Sequence, residues 1–240
     1  MDAMILAAGL GTRLGNLTRD SPKALIDIAG TPILERVAHR LIAAGADRII
    51  INLHHHAQQI IDFVCERDSF GVAVEFSHEV AAPLETGGGL LHAAPLIRRD
   101  APFFLHNVDV LCAADLRVMY DAHAASGVLA TLAVNERPAS RYLLFDDEGL
   151  CGRVDTRAGG HAELHVTAAA VRRFAFAGIH VISPGLLDRI TERGAFSIVD
   201  LYLRLTREGA RIGHYDIRNA LWLEIGSPER LAAARLAFTD

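Results

Sequence analysis

The stretch that decides the fold is Ala3-Met4-Ile5-Leu6-Ala7-Ala8-Gly9-Leu10-Gly11-Thr12-Arg13-Leu14, at the start of the chain. Six uncharged apolar residues, Ala3 to Ala8, run into a glycine loop over 9–15, which reads as a buried first strand giving way to a turn. Glycine directly after such a strand lets backbone amides come close to a phosphate or a base, since no Cβ intervenes and positive φ is allowed. Arg13, and Lys23 in Pro22-Lys23-Ala24-Leu25, add two fixed positive charges, one a planar fork and one a compact point. The spacing is not that of a Walker A loop, which wants Lys-Ser/Thr directly after its second glycine, nor of the dinucleotide GxGxxG fingerprint. Spacing alone therefore leaves two readings, a phosphate cradle or a glycine-rich turn with two solvated cations.

From this strand onward, short apolar runs alternate with helix-like stretches, the pattern of βαβ units on a largely parallel sheet covered on both faces. Strands are expected over 48–53, 72–76, 102–106 and 128–134. Helices are expected from Thr31-Pro32, with Thr31 as N-cap and Gly45 closing it, over about 57–68, after the run Gly87-Gly88-Gly89, and over 114–126. The second half differs. Residues 142–145 and 150–154 flank Asp146-Asp147-Glu148-Gly149, a hairpin signal, and 155–172 dissolve into Gly, Ala, Thr and His. A strand over 174–182, helices at about 184–193 and 197–208, strands at 212–217 and 221–225, and a last helix from Ser227-Pro228 complete the chain. The expected fold is α/β, a three-layer α/β/α Rossmann-like arrangement with a mixed, mostly parallel sheet, in one domain over 1–240.

Composition narrows the functional classes. With 240 residues, 51% hydrophobic and 22% charged, the chain is of ordinary globular type, and its net charge of -5 gives no footprint for a nucleic-acid backbone. Cys65, Cys112 and Cys151 form no CxxC pair, which argues against a disulfide framework or structural zinc and for a reducing cytoplasm. The N-terminus lacks the basic n-region of a signal peptide. The longest uncharged runs, 174–187 and 122–135, fall short of the ~18 residues a membrane span needs, so no membrane partner is expected.

The string LAAGLGTRL at 6–14 with PKAL at 22–25 resembles the signature of the sugar-1-phosphate nucleotidyltransferases, LAAGxGTRL followed some ten residues later by PKxL. The resemblance implies a nucleoside triphosphate held by Ala8, Gly9, Gly11 and Thr12, an Arg13 that helps expel pyrophosphate, and a Lys23 on the phosphates. Pro83-Leu84-Glu85-Thr86-Gly87-Gly88-Gly89 looks like the family's second, base-contacting loop, implicating Glu85, Thr86 and Gly87, and its ETGGG form is similar to that of N-acetylmuramate-1-phosphate uridylyltransferases. Asn107 stands where the uridylyltransferase branch has an asparagine near the nucleotide. Asp109 corresponds to the family's Mg²⁺-binding aspartate, with Val108 in place of the usual glycine.

Trp222-Leu223-Glu224-Ile225-Gly226-Ser227 resembles the family's W-x-D-x-G-T segment, which makes Glu224 the second Mg²⁺ ligand with glutamate for aspartate. The family's sugar site implicates Gly178, Glu136 and Arg141, in a sugar-binding half over about 135–240 beside a nucleotide-binding half over about 1–134. The Glu-Lys-Pro element of many hexose-specific members is read as absent, and no hexapeptide repeats of a second enzyme follow. The implied reaction is NTP, UTP favoured, plus sugar 1-phosphate giving NDP-sugar and pyrophosphate, with N-acetylmuramate 1-phosphate one sugar it suggests. Two alternatives stand beside it, a guanylyltransferase acting on mannose or heptose 1-phosphate, and a non-catalytic nucleotide-binding regulatory module suggested by Val108 and Glu224. Monomer and homo-oligomer both remain open. His54-His55-His56 falls on a strand-to-helix loop where adjacent side chains diverge, not at chelating helical spacing. His161 and His165 fall in the irregular segment with no acid placed for zinc.

Overall fold

The computed structural model describes residues 1–167 and 170–238. Its strands are β1 (Asp2–Leu6), β2 (Asp27–Ile28), β3 (Thr31–Pro32), β4 (Arg48–Leu53), β5 (Ala73–His78), β6 (Phe103–Asn107), β7 (Val110–Cys112), β8 (Ala130–Asn135), β9 (Arg141–Phe145), β10 (Leu150–Asp155), β11 (Ala162–Leu164), β12 (Arg172–Ile182), β13 (Ile212–Asp216) and β14 (Trp222–Glu224). The α-helices are α1 (Ile33–Ala43), α2 (Ala57–Glu66), α3 (Glu85–Ala93), α4 (Leu116–Ser126), α5 (Ile198–Arg207) and α6 (Pro228–Ala237).

The main sheet runs β11-β10-β9-β12-β6-β1-β4-β5, with β8 paired to both β12 and β13. Strands β5, β4, β1 and β6 are parallel, and β12 enters antiparallel to β6, β8 and β9, so the sheet is mixed around a parallel core. Successive residues of the parallel strands point to opposite faces. Ala3, Ile5, Ile49, Ile51 and Phe104 join a core with α1, α2, α4 and α6, while Met4, Ile50, Phe103 and Leu105 join one with α3 and α5. Three layers result, as the apolar runs imply. β1 has β4 on one side and β6 on the other, so the chain reverses its winding there. In open α/β sheets ligands bind at such a switch point, outside the carboxyl ends of the strands. The glycine loop after β1 and the segment 107–109 after β6 flank that crevice.

Several expectations need correction. Thr31-Pro32 does not open a helix. It closes a two-residue hairpin with Asp27–Ile28, around Ala29 (φ 49°) and Gly30 (φ 81°), both left-handed, and α1 starts at Ile33 with Pro32 as its N-cap. The triple glycine lies inside α3 rather than ahead of it. The helix expected at 184–193 is a 3-10 turn over Pro184–Arg189. The irregular segment contains β11, which pairs with β10, and residues 168–169 of it lie outside the described residues. The three-residue strand β7 was not anticipated, and it pairs with β14.

Candidate active site

The loop after β1 folds back on itself. Gly11 adopts φ +65°, and a Cβ there would lie 2.9 Å from Thr18 Cγ2 and 3.2 Å from Lys23 Cβ, so the turn needs glycine twice over. Thr18 Oγ1 donates to Gly11 O at 3.0 Å, and Leu14 N donates to the same carbonyl at 2.9 Å, which fixes the loop. Pro22 in extended conformation then turns Lys23 inward. Lys23 Nζ donates to Asp109 Oδ2 at 2.5 Å, with the lysine side chain 11% exposed. Lys23 is the only lysine in the chain.

These groups line a pocket of about 440 Å³ at the switch point. Ala8, Gly9, Gly11, Thr12, Arg13, Lys23, Glu85, Thr86, Asn107 and Asp109 border it. Asn52 and Glu79 border it too, and sequence reasoning missed both. Asn52 Nδ2 donates to Glu79 Oε1 at 2.7 Å, and Leu84 N donates to Glu79 Oε2 at 2.7 Å, so a buried carboxylate holds the loop over 79–84 against β4. Their signal was an Asn in an otherwise apolar strand and an acid just past a strand end. Glu85 sits at φ +60°, a left-handed backbone outside glycine that costs on the order of 1–3 kcal/mol and marks a held position on the pocket wall.

Gly87 is not on that wall. Gly87 N and Gly88 N both donate to Phe196 O, at 2.9 and 3.3 Å, so neither amide is free for a base. A Cβ on Gly87 would collide with the Phe196 ring and one on Gly88 with Gly194 O. The close approach that explains the glycines is therefore by the chain's own strap over 194–198. Thr86 Oγ1 accepts from Ile198 N at 2.9 Å and completes the stitching.

Glu224 arrives from β14. Pairing of β14 with β7 sets Glu224 opposite Val110, and Ile225 N donates to Asp109 O at 2.8 Å, so the two acids are carried by neighbouring backbones. Glu224 is tied to Arg230 and lies 3.5 Å from Arg13 Nη2. Two hard carboxylates are the protein share Mg²⁺ usually takes, the rest of its shell coming from water and phosphate. Asp109 and Glu224 meet that description, and among the described residues the buried Asn107 Oδ1 has no hydrogen-bond partner, an oxygen left for a ligand or its water. Among the described residues no group of three or more His, Cys, Asp or Glu gathers for a metal. His54 Nδ1 instead lies 2.6 Å from Glu79 O.

The expected sugar residues separate. Gly178, at φ +78° in a bulge of β12, faces Asn107, whose Nδ2 would be 3.0 Å from a Cβ there. Arg141 is 76% exposed and pairs with Asp155 at 3.1 Å, away from the pocket. Glu136 borders a second cavity. Arg137, which the sequence reading left without a role, is half-buried there. It lies 3.7 Å from the Trp222 ring centroid and donates to Asn135 Oδ1 at 2.6 Å and Phe176 O at 2.7 Å. Glu136-Arg137-Pro138 differs from Glu-Lys-Pro in its middle residue alone, and that was its signal. Burial pulls the Arg137 pKa down and Glu224 opposes the shift.

The crevice thus brings together one lysine on an aspartate and the exposed Arg13, and the chain belongs to the nucleotidyl transferase family, whose model matches residues 2–240. It is 34% identical over 241 residues to the N-acetylmuramate alpha-1-phosphate uridylyltransferase of Caulobacter vibrioides, covering 98% of this chain and 96% of that protein. The mannose-1-phosphate guanyltransferase of Gibberella zeae is 27% identical over 95% of this chain, which spans 62% of that protein. The crystal structure of HddC from Yersinia pseudotuberculosis is 26% identical, covers 99% of both chains and superposes with a TM-score of 0.78. No helix among the described residues is long and apolar enough to cross a membrane.

Proposed function

We propose that the protein transfers a nucleoside monophosphate from an NTP, UTP by preference, to a sugar 1-phosphate, N-acetylmuramate 1-phosphate in the first instance, releasing pyrophosphate. The observation that carries the reading is the Lys23–Asp109 pair at the floor of the switch-point pocket, with Arg13 on its rim. An oxygen of the sugar phosphate attacks the α-phosphorus in line, a new P–O bond forms, the bond to the β-phosphate oxygen breaks, and pyrophosphate leaves. No protein nucleophile is needed. The barrier is the repulsion of two anions, so catalysis is positioning plus charge neutralisation. Lys23 holds the α-phosphate and the incoming phosphate, and Arg13, once released from Glu224, meets the leaving pyrophosphate. Asp109 and Glu224 would hold Mg²⁺, which when bound adds positive charge at the phosphates.

A second reading, transfer of GMP, draws support from the likeness to HddC, whose structure is also known complexed with GMP-PN, superposing at a TM-score of 0.77. Pyrophosphate release measured across four NTPs and a panel of sugar 1-phosphates, with and without Mg²⁺, separates the two. UTP with N-acetylmuramate 1-phosphate is expected to be the fastest pair. Fastest turnover with GTP would replace it by the second reading, and silence throughout would leave a nucleotide-binding module without catalysis.

A further inference from the structure

Beside the transfer site lies a second cavity, of about 490 Å³, bordered by Glu136, Arg137, Pro138, Tyr142, Arg172 and Arg173. In a chain with net charge -5 its walls carry three guanidiniums and one carboxylate. That carboxylate is shared, since Glu136 Oε1 lies 3.7 Å from Arg172 Nη2 and 3.1 Å from Arg218 Nη2. Among the described residues Arg173 has no carboxylate within ion-pair distance. Its guanidinium stands over the Tyr142 ring at 5.2 Å, and the Tyr142 hydroxyl, which accepts from Ala139 N at 2.8 Å, is itself fixed. Arg137 meets carbonyl oxygens and an indole rather than an acid.

The two sites share a wall. Arg137 stacks on Trp222, whose Nε1 donates to Ala177 O at 2.8 Å, one residue from the Gly178 that faces Asn107. A ligand whose phosphate sits at Lys23 and Asp109 and whose ring passes Gly178 extends toward this cavity. We propose that the cavity binds an acidic substituent of the sugar, distinct from its 1-phosphate, with Arg172 and Arg173 as the residues that read the carboxylate. The proposal rests on the sugar-1-phosphate reading above. A hydroxyl-bearing neutral sugar gives three guanidiniums nothing to neutralise, whereas the planar fork of arginine matches a carboxylate in two parallel hydrogen bonds. The 1-phosphate has its own cation in Lys23 and the leaving pyrophosphate has Arg13, so the surplus charge here answers a further anion.

The test uses the full chain with UTP and two matched pairs of sugars, N-acetylmuramate 1-phosphate against N-acetylglucosamine 1-phosphate, and glucuronate 1-phosphate against glucose 1-phosphate. The wild type is expected to favour the acidic member of at least one pair by tenfold or more in kcat/KM. Arg173→Gln and Arg172→Gln are each expected to lower that ratio at least tenfold through KM for the acidic member, with Arg173→Lys restoring part of it. Preference for the neutral member of both pairs overturns the proposal. So does equal loss on both members in the variants, which would assign the arginines to the 1-phosphate. No pyrophosphate release with any of the four sugars overturns the reading it rests on and the proposal with it.

Discussion

Lys23 is the one ammonium side chain in a protein that otherwise meets every need for a cation with arginine. Its compact point charge meets the Asp109 carboxylate at 2.5 Å, where the planar fork of an arginine would present its donors differently. Lys23→Ala is therefore expected to lower kcat by roughly 10²–10³, the usual loss for one electrostatic contact in a transition state, with the melting temperature preserved. Lys23→Arg is expected to lower kcat at least tenfold as well, although charge is kept. Wild-type rates in both variants would remove Lys23 from the chemistry. His123 makes a different prediction, since burial between Thr131 Oγ1 (2.9 Å) and Ser183 Oγ (3.0 Å) pushes its pKa down to about 4. The unfolded chain takes up this proton first, near pH 6.5, so stability is full above that pH and falls as pH drops toward 4. The limiting slope is ~1.4 kcal/mol per pH unit for one such group. A thermal-melt series from pH 7.5 to 4.5 should show that decline, and His123→Gln should make it shallower.

At the scale of elements, α3 is set by the strap over 194–198. Gly87→Ala and Gly88→Ala each drive a methyl into Phe196 or Gly194, and each is expected to destabilise by about 1–3 kcal/mol, the range for overpacking, read from urea midpoints. Activity should fall with them, because Glu85 and Thr86 on the pocket wall ride on the same helix. The glycine run also shows where sequence reading stops. Triple glycine in a helix is costly and so points to a close approach, but no local pattern says whether the approaching group is a ligand or residue 196. Apolar runs such as Arg48–Leu53 were legible to the residue because burial on both faces leaves no other reading. The β7–β14 ribbon was not, since three residues carry no period and their pairing spans more than a hundred positions. At the site, the glycine loop, Lys23 and Asp109 were legible from signature and spacing. Asn52 and Glu79 were not, because β4 and the loop after β5 bring them together through the sheet alone.

Across the whole molecule, β12 is the strand that joins the parallel half to the antiparallel one, with Arg172 and Arg173 at its start bordering the second cavity and its bulge at Gly178 facing Asn107 of the first. Trp222, the chain's only tryptophan, carries the Arg137 guanidinium over its ring and bonds its indole nitrogen to Ala177 O, next to Gly178. Binding in either cavity should change the environment of that ring. Titration with UTP, and separately with N-acetylmuramate 1-phosphate, is expected to give a saturable change in tryptophan emission that Trp222→Phe abolishes. Saturation by the sugar phosphate but not by UTP would confine the reporter to the arginine side.

A single lysine has a chemical consequence as well. Lys23 Nζ is the sole side-chain amine in the sequence, and it borders the pocket from which an acylating or imine-forming reagent would approach. A phosphorylated aldehyde followed by borohydride should therefore mark one internal peptide, that containing residue 23. UTP should protect it, giving by mass spectrometry a count of occupied sites that needs no knowledge of the sugar.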